Sequence, residues 1–180
     1  MKDLRNYLKP DEIERILDEA GKTGNERDYL LIRILWKTGL RVSELINLEP
    51  SWIDDEDKMI TVLGKGNKMR RTPIDRDTLR NLRRYIKDKD INNNKIFNMT
   101  RQRVFQIIKE TAKKAEIEKP EKPIHPHTLR HSYAVNYLKK GGNLRNLQLN
   151  LGHSNLNTTA GYLQVTCQDQ REEYEKIMID

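Results

Sequence analysis

The sequence predicts a mainly α fold with one small antiparallel β-sheet, an α+β chain built as a single compact unit. Three observations predict it. Apolar residues recur every three or four positions through most of the 180 residues, the spacing that gives a helix one buried stripe. Strand patterning occurs only at Met59 to Leu63 and Met69 to Pro73, on either side of a glycine-rich turn. Although only 36% of residues are apolar, a chain of this length can still bury a real core.

Taken in order, residues 1 to 9 read as a connector. Pro10 starts a helix because its fixed φ suits the first turn, and Asp11 and Glu12 suit the positive end of the helix. Ile13, Ile16, Leu17 and Ala20 form its buried stripe, and Gly21 to Gly24 ends it. A second helix, from Asn25 to Lys37, buries Tyr29, Leu30, Ile34 and Leu35 and stops at Gly39. Val42, Leu45, Ile46 and Leu48 give a short helix broken by Pro50, and the acidic run Asp54 to Asp57 reads as a solvated turn. The two strands follow, joined across Gly64-Lys65-Gly66-Asn67-Lys68.

Further helices are predicted at Asp75 to Lys87, around Leu79, Leu82 and Ile86, and at Thr100 to Ala115, around Val104, Ile107, Ile108 and Thr111. The outer face of the latter carries Arg101, Arg103 and Lys109. Pro120, Pro123 and Pro126 hold an extended connection. Helices over His127 to Lys139, Leu144 to Leu149, Asn155 to Val165 and Asp169 to Ile179 complete the chain, the last with a Tyr174, Ile177 and Met178 stripe.

Charge points to the partner. A formal net charge of +7 and a pI of about 9.4 favour a polyanion, since each cation that meets a phosphate releases condensed counterions. A single cysteine, Cys167, excludes an internal disulfide framework or a cysteine zinc cluster, and a cytoplasmic setting is the expectation. No apolar run approaches about 18 residues, so no membrane partner is expected.

The segment from Lys122 to Gln168 contains no Asp or Glu, although the chain has 27 of them. His125, His127 and His131 lie close together there, but a metal site wants carboxylates or thiolates to complete its shell, and a metal reading would need ligands from elsewhere. A metal-free phosphate site, in which arginine forks, imidazoles and a lysine meet the charge, accounts for both the cations and the missing acids.

Five stretches carry a resemblance. They are Thr38-Gly39-Leu40-Arg41-Val42-Ser43-Glu44-Leu45, the Gly64–Lys68 turn, His127-Thr128-Leu129-Arg130-His131, Leu151-Gly152-His153-Ser154, and Tyr162, nine positions after His153. In this order and spacing the chain resembles the catalytic domain of the tyrosine recombinases, the phage-integrase and Xer-type family, over about Pro10 to Met178. The resemblance implies that fold and a site-specific recombinase acting on double-stranded DNA without metal, ATP, other cofactor or small-molecule substrate. Exchange would proceed in a tetramer on paired sites, with the C-terminal helix docking on a neighbour or on its own core.

It also implies roles. Arg41 and Arg130 would grip the scissile phosphate, for which a planar, permanently charged guanidinium suits. Tyr162 would be the nucleophile that holds the DNA 3′ end as a phosphotyrosine. Lys65, with Lys68 as a rival, would protonate the leaving 5′ oxygen, His127 would serve in acid–base transfer, and His153 would donate to the phosphate or orient the tyrosine. His131 is expected to be structural, and Lys68, Arg101 and Arg103 to touch DNA.

There are departures. Gly161 beside Tyr162 should loosen that helix by about 1 kcal/mol relative to alanine, which predicts a mobile nucleophile segment without DNA. Asn150 stands where an apolar residue is usual. The helical domain that usually precedes the catalytic domain has no counterpart in residues 1–9, so weaker DNA binding than by a two-domain clamp is expected. Rival readings are a type IB topoisomerase or telomere resolvase, and a non-catalytic DNA-binding remnant of the fold.

Overall fold

A computed structural model describes residues 7–64, 69–92, 94–117, 123–153, 159–162 and Tyr174. The elements are α1 (Pro10–Lys22), α2 (Glu26–Thr38), α3 (Val42–Leu45), a 3₁₀ turn (Pro50–Trp52), β1 (Ile53–Asp54), β2 (Met59–Leu63), β3 (Met69–Pro73), α4 (Arg76–Asp88), α5 (Arg101–Lys114), α6 (Pro126–Lys139) and α7 (Leu144–Leu151). The mainly α architecture with one small antiparallel sheet is therefore what the chain adopts.

At its centre lies α2. Leu30, Leu31, Ile32, Ile34 and Leu35 are all fully buried, a band too wide for a helix lying on a surface, and the helix packs against α1, α4 and α6. Each such side chain contributes about 1.5–3 kcal/mol of burial, so α2 anchors the body to which the smaller elements attach. Asn25 caps its start by accepting from the Asp28 N–H, as Asp75 and Thr100 do for α4 and α5.

The sheet has one strand more than its patterning predicts. β1 pairs antiparallel with β2 through Ile53↔Ile60 and Asp54↔Met59, and β2 with β3 from Met59↔Pro73 to Leu63↔Met69. Two residues are too few to show alternation, which is why β1 was hidden inside the expected acidic turn. Asp54 and Asp57 are nonetheless exposed to their partner Arg71, which bonds both at 2.7 and 2.9 Å.

Residues 7 and 8 belong to the packed body as well. Leu8 is fully buried; its N–H donates to Ser132 Oγ at 2.8 Å and its carbonyl accepts from Asn136 Nδ2 at 3.0 Å, both on α6. The expected helix at Asp169 to Ile179, apart from the helical and exposed Tyr174, and most of the one at Asn155 to Val165 lie outside the described residues. No helix among the described residues is long and apolar enough to cross a membrane.

Candidate functional site

The α2–α3 junction sets Arg41. Gly39 closes α2 in the left-handed region at φ 64°, and a Cβ there would overlap the Tyr133 ring and come within 3.0 Å of Leu151 Cδ2. Backbone conformation and close packing both demand glycine. Two residues later Arg41 is the N-cap of α3, and Glu44 reaches back to accept from its N–H at 2.7 Å and from its Nη1 at 2.9 Å.

Glu44 is 4% exposed and collects more than one cation. Arg70, on β3, forks onto it through Nη1 at 2.6 Å and Nη2 at 2.9 Å, while Arg130 Nη1 stands 4.0 Å away. Burial pushes the Glu44 carboxyl up, but the hydrogen bonds and charge of Arg70, then those of Arg41, outweigh it and hold the group below its usual range.

Arg130 emerges from α6 into the interior and is 5% exposed. Its Nη1 donates to the Gly39 carbonyl, and its Nη2 donates to the Leu151 carbonyl at 2.6 Å and lies 3.3 Å from His153 Nε2. Burial lowers its pKa to about 10, helped by the positive charges of Arg41 and Arg70 and opposed by Glu44 and Tyr162. It remains a cation at neutral pH.

The end of α7 sets His153. Gly152 turns left-handed at φ 62°, and the His153 N–H folds back to the Gln148 carbonyl at 3.2 Å, a Schellman-type ending. A guanidinium has donors only, so toward Arg130 the His153 Nε2 accepts; the ring proton then sits on Nδ1 and faces Thr159 Oγ1 at 2.9 Å. Asn150 finds its explanation here, since its Nδ2 donates to the Tyr133 hydroxyl at 3.1 Å and its carbonyl accepts from Arg70 Nε at 3.0 Å. An apolar residue could make only the second bond.

Tyr162 packs on a small cluster of Tyr133, Ala134, Leu147 and Leu151. It lies in a turn closed by its N–H donating to the Thr159 carbonyl at 3.0 Å, so at Gly161 and Tyr162 the expected helix is a turn. Burial raises its phenol above the ordinary value, with Arg130 pulling the other way, so it is neutral near pH 7. His131, expected to be structural, has its ring 5.2 Å from that of Tyr162 and edge-on to Tyr7 at 6.4 Å. His127 is exposed in the first turn of α6, edge-on to His125 at 6.0 Å, and His125 in turn stacks on Phe105 at 5.8 Å.

The fold thus gathers Arg41, Arg130, His153 and Tyr162. Lys65 and Lys68 lie outside the described residues. Arg101 and Arg103 project from the first turn of α5, and neither shares a hydrogen bond with the Arg41–Arg130 cluster among the described residues. Sequence reasoning passed over Glu44 and Arg70. The segment from Lys122 to Gln168 is free of acids, yet Glu44, from outside it, binds Arg41 directly. Glu44 was legible as the third residue after Arg41 in the same motif; Arg70 carried no signal that set it apart from Arg71.

Known proteins share the sequence pattern and the fold. A family model described as the phage integrase family matches residues 6–169. A tyrosine recombinase of Thermosipho africanus is 35% identical over 182 residues, covering 97% of this chain and 62% of that protein. The chain thus spans less than two thirds of the length of such relatives. The XerH site-specific recombinase bound to its difH substrate, in a pre-cleavage complex, is similar with a TM-score of 0.76 and 26% identity over 88% of this chain and 50% of that one. The catalytic domain of bacteriophage HP1 integrase is similar at 0.68 and 28%, over 88% of this chain and 86% of that one.

Proposed function

Because this chain belongs to the phage integrase family, we propose that it carries the chemistry of a site-specific DNA recombinase, cleaving and rejoining strands through a 3′-phosphotyrosyl intermediate. The observation that supports this most is the convergence of Arg130, Arg41 and His153 beside Tyr162, a cation-rich corner suited to an anion. Two guanidiniums would meet the charge that grows on the non-bridging oxygens, with His153 orienting the Arg130 fork through its Nε2, and meeting that charge is the largest part of the work in such a displacement.

The Tyr162 oxygen attacks phosphorus, the bond from phosphorus to the 5′ oxygen breaks, and the DNA 3′ end stays on the tyrosine. Since burial keeps the phenol protonated at neutral pH, its proton must leave during attack, and His127 is assigned to take it. Lys65 supplies the proton to the departing 5′ oxygen. The 5′ hydroxyl of a second duplex then reverses the step, so bonds of equal energy are exchanged with no ATP. The charge is met by side chains, so no metal is needed. XerH holds DNA in its solved complex, and for this chain double-stranded DNA is the proposed partner, with a tetramer on paired sites for exchange.

A duplex nicked beside the cleavage position traps the covalent step, because the short downstream fragment diffuses away. The wild-type chain is expected to form a DNA-linked band on a denaturing gel and Tyr162→Phe to form none. A persistent band with phenylalanine would remove Tyr162 from the role, and no band with the wild type on its genuine target would remove the recombinase reading.

A further inference from the structure

We propose that Arg70 is a positioning residue of this site: it saturates Glu44 so that Arg41 and Arg130 keep their N–H groups for the phosphate, and it ties the α7 ending that holds His153. This rests on the recombinase reading above.

Lone pairs carry the first half of the argument. An ionised carboxylate offers about four acceptor positions. The Arg41 N–H and Nη1 take two and the Arg70 fork takes the other two, at 2.6 and 2.9 Å. Arg130 Nη1 is left at 4.0 Å from Glu44, beyond hydrogen-bond range, and donates to backbone carbonyls instead. Take away the Arg70 fork and a buried carboxylate has two open acceptors with Arg41 and Arg130 as its nearest cations. They would turn toward it, and a carboxylate closing on both arginines competes with the phosphate they should hold.

Reach carries the second half. The Arg70 stem lies against Gly152, where a Cβ would come within 2.7 Å of Cδ and 2.9 Å of Nε, and its Nε bonds the Asn150 carbonyl. One side chain on β3, the strand that begins four residues after Lys65, therefore touches both the α3 acid and the residues immediately before His153. At 11% side-chain exposure Arg70 is itself poorly placed to meet DNA.

The test is the single-turnover rate of phosphotyrosine formation on the nicked duplex at saturating DNA, with DNA affinity measured separately. Arg70→Met is expected to lose about 10²-fold in rate with little change in affinity, as displaced groups do. Combining it with Glu44→Gln, which removes the competing charge, is expected to restore about tenfold of that rate, and Arg70→Lys, which keeps the charge without the fork, to fall between Arg70→Met and wild type.

A double variant no faster than Arg70→Met overturns the proposal, as does an Arg70→Met chain that circular dichroism shows unfolded at the assay temperature, since both make Arg70 merely structural. A wild-type chain without adduct fails differently: it removes the recombinase reading, and the proposal with it.

Discussion

Arg41 at the α2–α3 junction and Arg130 in the middle of α6 are the same residue held in opposite ways. Arg130 is nearly sealed from solvent and is fixed by two neutral carbonyls, those of Gly39 and Leu151. Arg41 keeps 30% of its side chain exposed and is fixed by a carboxylate. Neutral acceptors orient a guanidinium without cancelling its charge, whereas a carboxylate cancels part of it. Arg130 is thus the more buried and less neutralised cation of the pair, at the expense of burial that drops its pKa to about 10, and Arg41 is the solvated and more fully neutralised one.

That contrast is broken first by conservative replacement. Arg130→Lys should lose about 10³-fold in covalent-adduct rate and Arg41→Lys about 10²-fold, within the range seen when a donor to developing charge is removed. A lysine cannot donate to both carbonyls and His153 from one point. Equal losses, or a larger loss at Arg41, would mean that burial gives Arg130 no advantage.

The carboxylate side is sharpened by Glu44→Gln. Removing the charge from a buried group that meets Arg41 and Arg70 should cost about 3 kcal/mol of folding stability at pH 7. Glu44 titrates below its ordinary value of 4.5 in the folded chain, so its contribution is fully present above that pH and disappears as pH falls through the lowered folded value. Denaturant unfolding of both proteins should therefore show a gap at pH 7 that narrows below about 4.5. A gap that does not depend on pH would point to packing in place of charge.

The smallest expected effect lies on the neutral side. Asn150→Leu deletes the bond to the Tyr133 hydroxyl at the seam between α6 and α7, beside the Leu151 carbonyl that holds Arg130, and should cost about 1 kcal/mol. Because burial and that bond both act on Tyr133, whose phenol is raised chiefly by desolvation, the loss leaves a buried hydroxyl without this donor. If the leucine variant unfolds later than wild type, Asn150 does not tie the seam.

Much of this molecule is legible one stretch at a time. The stripe of α1, the glycine stop after α2, the spans and stripes of α4 and α5 and both long strands follow from local spacing and turn chemistry, because each is decided by residues within a turn or a few positions of one another. β1 is too short to show a pattern. Tyr7 and Leu8 looked like a connector because nothing near them in sequence tells that Ser132 and Asn136 will take up the Leu8 backbone.

By itself the sequence determined where most of the helices fall and which family motifs the chain carries, and it put forward Arg41, Arg130, His153 and Tyr162 as candidates, since these rest on residue type and spacing. Only the tertiary structure decided how those residues are held. The bonds that matter run from Arg130 to carbonyls at Gly39 and Leu151, and from Arg70 to Glu44, across 91, 21 and 26 residues of chain. A backbone carbonyl has no letter in the sequence, and a carboxylate far away in the chain can stand beside an acid-free segment once the chain has folded. The physical reason is that hydrogen bonds and charges act through space, where the sequence orders residues only along the chain.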